Sequence, residues 1–176
     1  MKIQFASDLH LERNENSEYW ENNKIIPIGD VLVLAGDITK LSNISFEHPF
    51  FDQISNDFKQ VIIVPGNHEY YSISNLSYIK QPDLEIEIRP NVKYYNNKVV
   101  KIDDINFICS TLWSHINPIG AYAITQSVKC FSYIKYDKYT ITVDKWNELH
   151  EDSKYFIINF LFCKSQFNKI SNFNSI

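Results

Sequence analysis

The chain has 176 residues, a length that suits a single domain of moderate size. Hydrophobic residues make up 44% of the sequence and charged residues 22%, which is the composition of a folded globular protein and excludes an intrinsically disordered chain. The net charge of −4 gives no basic footprint for nucleic acid. It does not exclude phosphate substrates, because bound cations can reverse the local field.

The cysteine pattern and the apolar runs bear on the cellular compartment. Cys109, Cys130 and Cys163 lie far apart and form no CxxC pair, so the sequence predicts neither a zinc knuckle nor a disulfide framework. The chain opens directly on a strand-like segment without a signal-peptide pattern, and the apolar run 155–163 is too short to span a bilayer. We therefore expect a cytoplasmic protein with reduced thiols and no membrane partner.

Three short apolar runs in the first third of the chain predict β-strands, at residues 3–6, 31–35 and 61–64. The second and third runs are almost continuously apolar, as expected of strands buried on both faces of a parallel sheet. A helix is predicted between them, because Pro49 suits a first turn and apolar residues follow it at helical spacing as far as Phe58. Strand, helix and strand form a βαβ unit, so the predicted fold class is α/β.

The second half of the chain predicts further strands at 94–95, 99–102 and 105–109, with a hairpin turn between the last two. A longer helix follows, and its apolar residues keep to one face over several turns: Val143, Trp146, Leu149, Phe156, Ile157 and Phe160. The residues after this helix are polar with scattered apolar side chains. The sequence therefore predicts a domain over residues 1–162 and an irregular tail over 163–176.

Side chains that can bind metals follow each of the first three strands directly. Asp8 and His10 follow the first strand, Asp37 follows the second, and Asn67 and His68 follow the third. The three groups recur at roughly the spacing of one βαβ step, and the carboxyl ends of parallel strands lie on one edge of a sheet. We therefore expect these side chains to converge in one crevice.

The four predicted ligands suit a hard or borderline divalent cation. Asp8 and Asp37 offer carboxylate oxygens, His10 offers an imidazole nitrogen and Asn67 offers an amide oxygen. Such a set suits Mn, Fe, Zn or Mg rather than a soft, thiolate-bound metal. Because Asp37 follows the middle strand, its carboxylate could bridge two cations about 3.5–4 Å apart. Taken singly, each residue could equally be a loop cap or a turn residue.

The ordered set of motifs resembles the first three sequence blocks of the calcineurin-like metallophosphoesterase superfamily: Asp8-Leu9-His10, Gly36-Asp37 and Gly66-Asn67-His68-Glu69. The later segment Thr111-Leu112-Trp113 is similar to a subgroup of bacterial phosphoesterases, and the resemblance runs from residue 1 to about residue 161. It implies a four-layer α/β/β/α sandwich. It also implies a metal-dependent phosphoesterase, in which a metal-activated water hydrolyses a phosphomonoester or phosphodiester substrate.

The resemblance also implies a role for each site residue. Asp8 and His10 would bind one divalent metal, Asn67 would bind a second metal, and Asp37 would bridge the two. His68 would protonate the leaving group or stabilise the transition state. The substrate itself stays open at this point, because no groove or cap that would select it is recognisable in the sequence.

The family pattern continues with two histidine blocks that have no match in this sequence. His48, His115 and His150 lie outside such a context, and Glu69 is predicted to be a solvated loop or cap residue. The mismatch predicts a sandwich whose second sheet is truncated, with at most one tightly bound metal. It also predicts self-association or a complementing C-terminal fragment. The alternative function is an inactive relative that serves as a binding scaffold or as one fragment of a split enzyme.

Overall fold

The computed structural model describes residues 1–71 and 83–171, and in the last helix it describes side chains as far as residue 162. A five-stranded sheet is formed by β1 (Ile3–Ala6), β2 (Val31–Ala35), β3 (Gln60–Val64), β4 (Leu84–Arg89) and β5 (Val92–Asn96). The strand order is β1-β2-β3-β5-β4, with β4 antiparallel to β5 and every other neighbouring pair parallel. The prediction that the first three strands are adjacent and parallel is confirmed.

The remaining strands form two short antiparallel hairpins. They are β6 (Lys98–Ile102) with β7 (Ile105–Cys109), and β8 (Lys135–Tyr136) with β9 (Tyr139–Thr140). Ile108 of β7 and Val33 of β2 line the same cavity of about 560 Å³, so the first hairpin lies over one face of the central sheet. The mixed α/β architecture with a mainly parallel sheet is the predicted fold class.

The described part of the chain also contains six α-helices and one 3₁₀ turn. The helices are α1 (Asn14–Asn22), α2 (Asn43–Phe46), α3 (Pro49–Asp57), α4 (Ala121–Ser127), α5 (Cys130–Tyr133) and α6 (Val143–Ser171), and the 3₁₀ turn is His68–Tyr70. None of the described helices combines the length and the apolar character that crossing a membrane requires. Helix α3 begins where predicted, with Pro49 in its first turn and the His48 ring accepting the Phe50 N–H at 3.1 Å.

Helix α3 covers one face of the central sheet and forms the main core with it. Phe50, Phe51 and Ile54 of the helix are fully buried, as are Leu32 and Leu34 of β2. A second buried cluster lies around the end of β3 and the start of α6: Tyr70, Trp113, Ile116, Ile134, Trp146 and Leu149. Ile38, from the loop after β2, belongs to the first cluster, and Tyr70, from the turn after β3, belongs to the second.

The prediction of an irregular tail over 163–176 is wrong as far as residue 171. Helix α6 runs on to Ser171. The segment contains no glycine and no proline, and residues such as Lys164 and Gln166 are good helix formers, so nothing in it stops the helix. The polar composition that suggested a frayed tail is also the composition of a solvated helix. Residues 172–176 lie outside the described part of the chain.

Candidate metal centre

The loops after β1 and β2 are joined by main-chain hydrogen bonds at one edge of the sheet. The Asp8 N–H donates to the Gly36 carbonyl at 3.0 Å, and the His10 N–H donates to the Asp37 carbonyl at 2.9 Å. These bonds continue the pairing of β1 with β2 beyond the strands themselves. The two loops therefore leave the sheet side by side, at the carboxyl edge where the sequence predicts the site.

Three of the predicted ligands have a left-handed backbone. The φ angle is 58° at Asp8, 48° at His10 and 55° at Asp37. Non-glycine residues adopt this conformation uncommonly, and such positions cluster at functional sites. The ligand atoms of these three residues all lie within 4.8 Å of one another. The prediction that Asp8, His10 and Asp37 converge is confirmed.

Glycine is required where the loops after β2 and β3 approach each other. A Cβ atom built on Gly66 would lie 2.2 Å from Oδ1 of Asp37, which is a severe clash. Gly36 has a φ of 92°, a conformation that other residues rarely adopt. The side chain of Asp37 can therefore rest against the next loop only because Gly66 has no side chain.

Asp37 is held from two directions by the segment after β3. Its Oδ1 accepts the backbone N–H of His68 at 3.0 Å. Its own N–H donates to Oε2 of Glu69 at 2.9 Å. The hydrogen bond to Oδ1 leaves the other carboxylate oxygen of Asp37 available to a cation in the crevice.

Glu69 is fully buried, so the prediction of a solvated loop or cap residue is wrong. Its carboxylate accepts the N–H groups of Ile38 at 2.7 Å and of Gly66 at 2.8 Å, in addition to that of Asp37. Burial raises the pKa of Glu69 to about 7, while the N–H groups of Ile38 and Gly66 oppose that rise. Glu69 thus ties together the loops after β2 and β3 from the inside.

Asn67 has its amide nitrogen occupied by protein neighbours. Nδ2 donates to the Tyr71 hydroxyl at 3.2 Å and contacts Sγ of Cys130 at 3.3 Å. Burial raises the pKa of the Tyr71 hydroxyl and of the Cys130 thiol, so both groups stay protonated. The amide oxygen of Asn67 is therefore the atom of this side chain that could contact a cation. Its role as a ligand of a second metal stays a prediction.

Glu12 is a site residue that the sequence analysis missed. Its Oε1 lies 3.0 Å from Nδ1 of His68 and 3.3 Å from Nδ1 of His10. A carboxylate can only accept hydrogen bonds, so this contact favours the tautomer with hydrogen on Nδ1 in both rings and leaves each Nε2 free. The signal in the sequence was the spacing of Asp8, His10 and Glu12, which places three polar side chains at every second position of one short loop.

The ring of His68 is fixed by three neighbours. It is bonded to Glu12, it stacks on Tyr71 with ring centroids 4.3 Å apart, and it meets His10 edge-on at 4.3 Å. The side chain is 19% exposed, so the ring is packed but still reaches solvent. His68 therefore lies beside the candidate ligands with one ring nitrogen accessible.

The three other histidines lie away from this centre. His48 caps α3 and also contacts the Ser17 hydroxyl at 2.7 Å. His150 contacts the Trp113 carbonyl, and its ring lies 5.8 Å from that of His115. In residues 1–71 and 83–162 there are two groups of possible metal ligands, and neither contains His115 or His150: Asp8, His10 and Asp37, and His10, Glu12 and His68.

The residues present fit a divalent cation. Two carboxylates and an imidazole within reach of a common point form a hard-to-borderline donor set. Residues 1–166 match the sequence model of the calcineurin-like phosphoesterase family. The chain belongs to this family.

Two relatives of this calcineurin-like phosphoesterase show how much of the family protein the chain spans. An uncharacterized protein of Acanthamoeba polyphaga mimivirus, L509, is 33% identical, and the match covers 89% of this chain and 61% of that protein. The crystal structure of phosphopantetheinyl hydrolase from Mycobacterium tuberculosis superposes with a TM-score of 0.53 at 15% identity, over 88% of this chain and 62% of that one. The chain therefore spans about three fifths of either relative. At this identity, the second likeness shows the fold.

Proposed function

We propose that this chain is a divalent-metal-dependent phosphoesterase that hydrolyses a phosphomonoester or phosphodiester. The observation that carries the proposal is the convergence of Asp8, His10 and Asp37 at one edge of a parallel sheet, with the packed ring of His68 beside them. Membership of the calcineurin-like phosphoesterase family supports metal dependence at the level of the family.

Each side chain has a defined role in this proposal. Asp8, His10 and Asp37 would hold a cation, and Asn67 with Asp37 would contact a second one. A bound divalent cation supplies Lewis-acid stabilisation of phosphoryl oxygens and lowers the pKa of a nearby water. In its doubly protonated form, His68 donates a proton to the leaving-group oxygen from Nε2, while the bond between its Nδ1 and the carboxylate of Glu12 holds the ring in place.

The test is metal-dependent hydrolysis of bis(p-nitrophenyl) phosphate with Mn²⁺. The variant His68→Ala should lower kcat about a hundredfold or more, because it removes the group that protonates the leaving oxygen. His115→Ala serves as the matched control, because His115 is exposed and outside the candidate clusters. Equal rates for the wild-type protein and His68→Ala would contradict the proposed role.

A second candidate function is a weakly active or inactive scaffold, or one fragment of a split enzyme. The observation in its favour is that the two groups of possible ligands in the described residues share His10, and that Glu12 of the second group already bonds both of its histidines. It predicts one Mn²⁺ site in a calorimetric titration, and Asp37→Asn should abolish that site. Two tight sites would favour the complete enzyme.

The cytoplasmic location expected from reduced thiols is part of the proposal, and the buried, free Cys109 and Cys130 support it.

A further inference from the structure

An open pocket of about 310 Å³ lies next to the candidate catalytic histidine. His68 lines it, together with the side chains of Arg13, Lys40 and Lys129. The three cationic residues come from three separate parts of the chain: the start of α1, the loop after β2 and the start of α5. The fold therefore brings together positive charges that the sequence keeps apart.

Within residues 1–71 and 83–162, the cationic side chains around this pocket, Arg13, Lys40 and Lys129, have no carboxylate in an ion pair with them. Six other cationic side chains do form such pairs: Lys59, Arg89, Lys93, Lys98, Lys145 and Lys154. The acidic residue that lines the pocket, Glu12, bonds the two histidines through Oε1, and its Oε2 is buried from solvent. Three cations therefore face the pocket without a carboxylate partner in the part of the chain that the structure describes.

The position of His68 assigns this pocket to one side of the reaction. In an in-line displacement the leaving group departs opposite the attacking water. A group that protonates the leaving oxygen must face the leaving group, and His68 lines this pocket. The larger cavity of about 560 Å³ reaches the crevice at Gly66 and Asn67, and its walls are mainly apolar. The cationic pocket is thus the better match for a charged leaving group.

An aromatic surface adjoins the cations. Tyr71 and Tyr133 line the pocket, with ring centroids 5.4 Å apart and an interplanar angle of 32°. Tyr71 already stacks on His68, but Tyr133 is 48% exposed and has ring surface to offer. Cationic side chains beside an exposed aromatic ring are the combination that binds the phosphate and the base of a nucleotide.

We propose that this pocket binds the leaving group of the substrate, and that this leaving group carries its own phosphate, as a nucleoside monophosphate does. The substrate class is a phosphodiester or phosphoanhydride that joins the attacked phosphorus to such an organic phosphate. The proposal rests on the proposed phosphoesterase function and narrows its substrate.

The reaction balances without a further reactant. The oxygen of a water forms a bond to phosphorus and the water releases one proton to solvent, while the bond from phosphorus to the bridging oxygen breaks. The bridging oxygen leaves with the electron pair and takes a proton from Nε2 of the doubly protonated His68 ring, which regains that proton from solvent. The organic phosphate then departs as an anion, whose charge is met by Arg13, Lys40 and Lys129.

Binding of product-like probes tests the pocket separately from catalysis. Calorimetric titration of the full chain in EDTA would compare AMP, glycerol 3-phosphate and adenosine. We expect AMP to bind about tenfold or more tightly than adenosine, because the phosphate meets the cations. Glycerol 3-phosphate should bind more weakly than AMP, because it lacks a base to stack on Tyr133. Equal affinities for AMP and adenosine, or binding by neither AMP nor glycerol 3-phosphate, would overturn the proposal.

Two double variants that remove the same charge distinguish an effect of the pocket on AMP affinity from an effect of net charge. Lys40→Met with Lys129→Met should weaken AMP binding about tenfold or more. Lys101→Met with Lys138→Met removes the same charge from exposed positions on two hairpins and should leave the affinity for AMP unchanged. Equal losses in both double variants would reduce the effect to net charge and would overturn the assignment. Circular dichroism would confirm that all four substitutions preserve the fold.

The two proposals fail in different measurements. If AMP binds as expected but bis(p-nitrophenyl) phosphate is not hydrolysed with Mn²⁺, the phosphoesterase function fails and the anion pocket stands. If hydrolysis depends on His68 but the affinity for AMP is unchanged by Lys40→Met with Lys129→Met, the phosphoesterase function stands and the leaving-group assignment is wrong.

Discussion

The two faces of the central sheet are covered to very different extents. On the face that packs on α3, Leu32 and Leu34 are fully buried. On the opposite face, Phe5 of β1 is 80% exposed and Ile3 is 42% exposed, although Phe5 pairs with Val33 of β2. Among the described residues, the first face is thus fully covered, while the second is covered only in part, on the side where the β6–β7 hairpin lies.

The unequal cover of the two faces indicates a role in association for the exposed face. Exposed apolar surface that extends over neighbouring strands is uncommon on a soluble monomer and usually marks an interface. We propose that a second copy of this chain covers Phe5 and Ile3, so that the self-association expected from the sequence uses this face.

Truncating a side chain of the helix-covered face should have the largest effect on stability. Phe50→Ala is expected to lower the free energy of unfolding by about 3–5 kcal/mol, because Phe50 is fully buried between α3 and the sheet. Urea denaturation would measure the loss. A change below about 1 kcal/mol would mean that this face is not the main core.

Glu69→Gln should have the next largest effect, at the edge of the sheet where the two faces meet the loops. A glutamine has one acceptor oxygen, so it cannot accept the N–H groups of Asp37, Ile38 and Gly66 as the carboxylate does. We expect a loss of about 3 kcal/mol in unfolding free energy, since buried donors lose their partner. Glu87→Gln makes the same chemical change at an exposed glutamate and serves as the control. Similar losses in both variants would contradict the role given to Glu69.

Glu12→Gln should change metal binding more than the stability of the fold. The amide would turn an acceptor into a partial donor against His10 and His68, so the rings would lose their fixed tautomer. We expect Mn²⁺ to bind about tenfold more weakly in a calorimetric titration, as for other changes in residues that orient metal ligands. The exposed Glu21→Gln should bind Mn²⁺ like the wild-type protein. An unchanged Mn²⁺ affinity in Glu12→Gln would show that Glu12 does not position His10.

Phe5→Ser should have the smallest effect on stability and yet change association. Phe5 is 80% exposed, so its loss should alter the unfolding free energy by no more than about 0.5 kcal/mol. Light scattering should show less self-association than for the wild-type protein. Tyr19→Ser removes an aromatic residue that is 69% exposed on α1 and should leave association unchanged. A wild-type protein that is monomeric at all concentrations would remove the basis for an interface at Phe5.

Local sequence pattern was enough to predict the strands that carry the site. The apolar runs end two residues before Asp8, two before Asp37 and three before Asn67, and parallel pairing places all strand ends on one edge. The edge strand β4 was missed, although Leu84 and Ile86 alternate with charged residues there in the manner of a half-buried strand.

The roles of Glu12 and Glu69 could not be predicted in the same way. A buried carboxylate is stable only where donors surround it, and the donors of Glu69 come from residues more than thirty positions earlier as well as from Gly66. Glu12 meets His68 across 56 positions of sequence. Such partners are set by the packing of loops after folding, so composition and periodicity favour the commoner, solvated role for both residues.

Asp8, His10 and Asp37 supply the candidate metal-binding atoms, but their left-handed backbone lowers the stability of the fold at all three positions. Each such conformation costs about 1–3 kcal/mol for a residue with a side chain, whereas glycine adopts it freely. A selection for thermal stability alone would therefore replace these residues with glycine and erase the donors one by one. The same property makes the centre suitable for chemical rescue: His10→Gly would relax the backbone and leave space for free imidazole to act as the missing ligand.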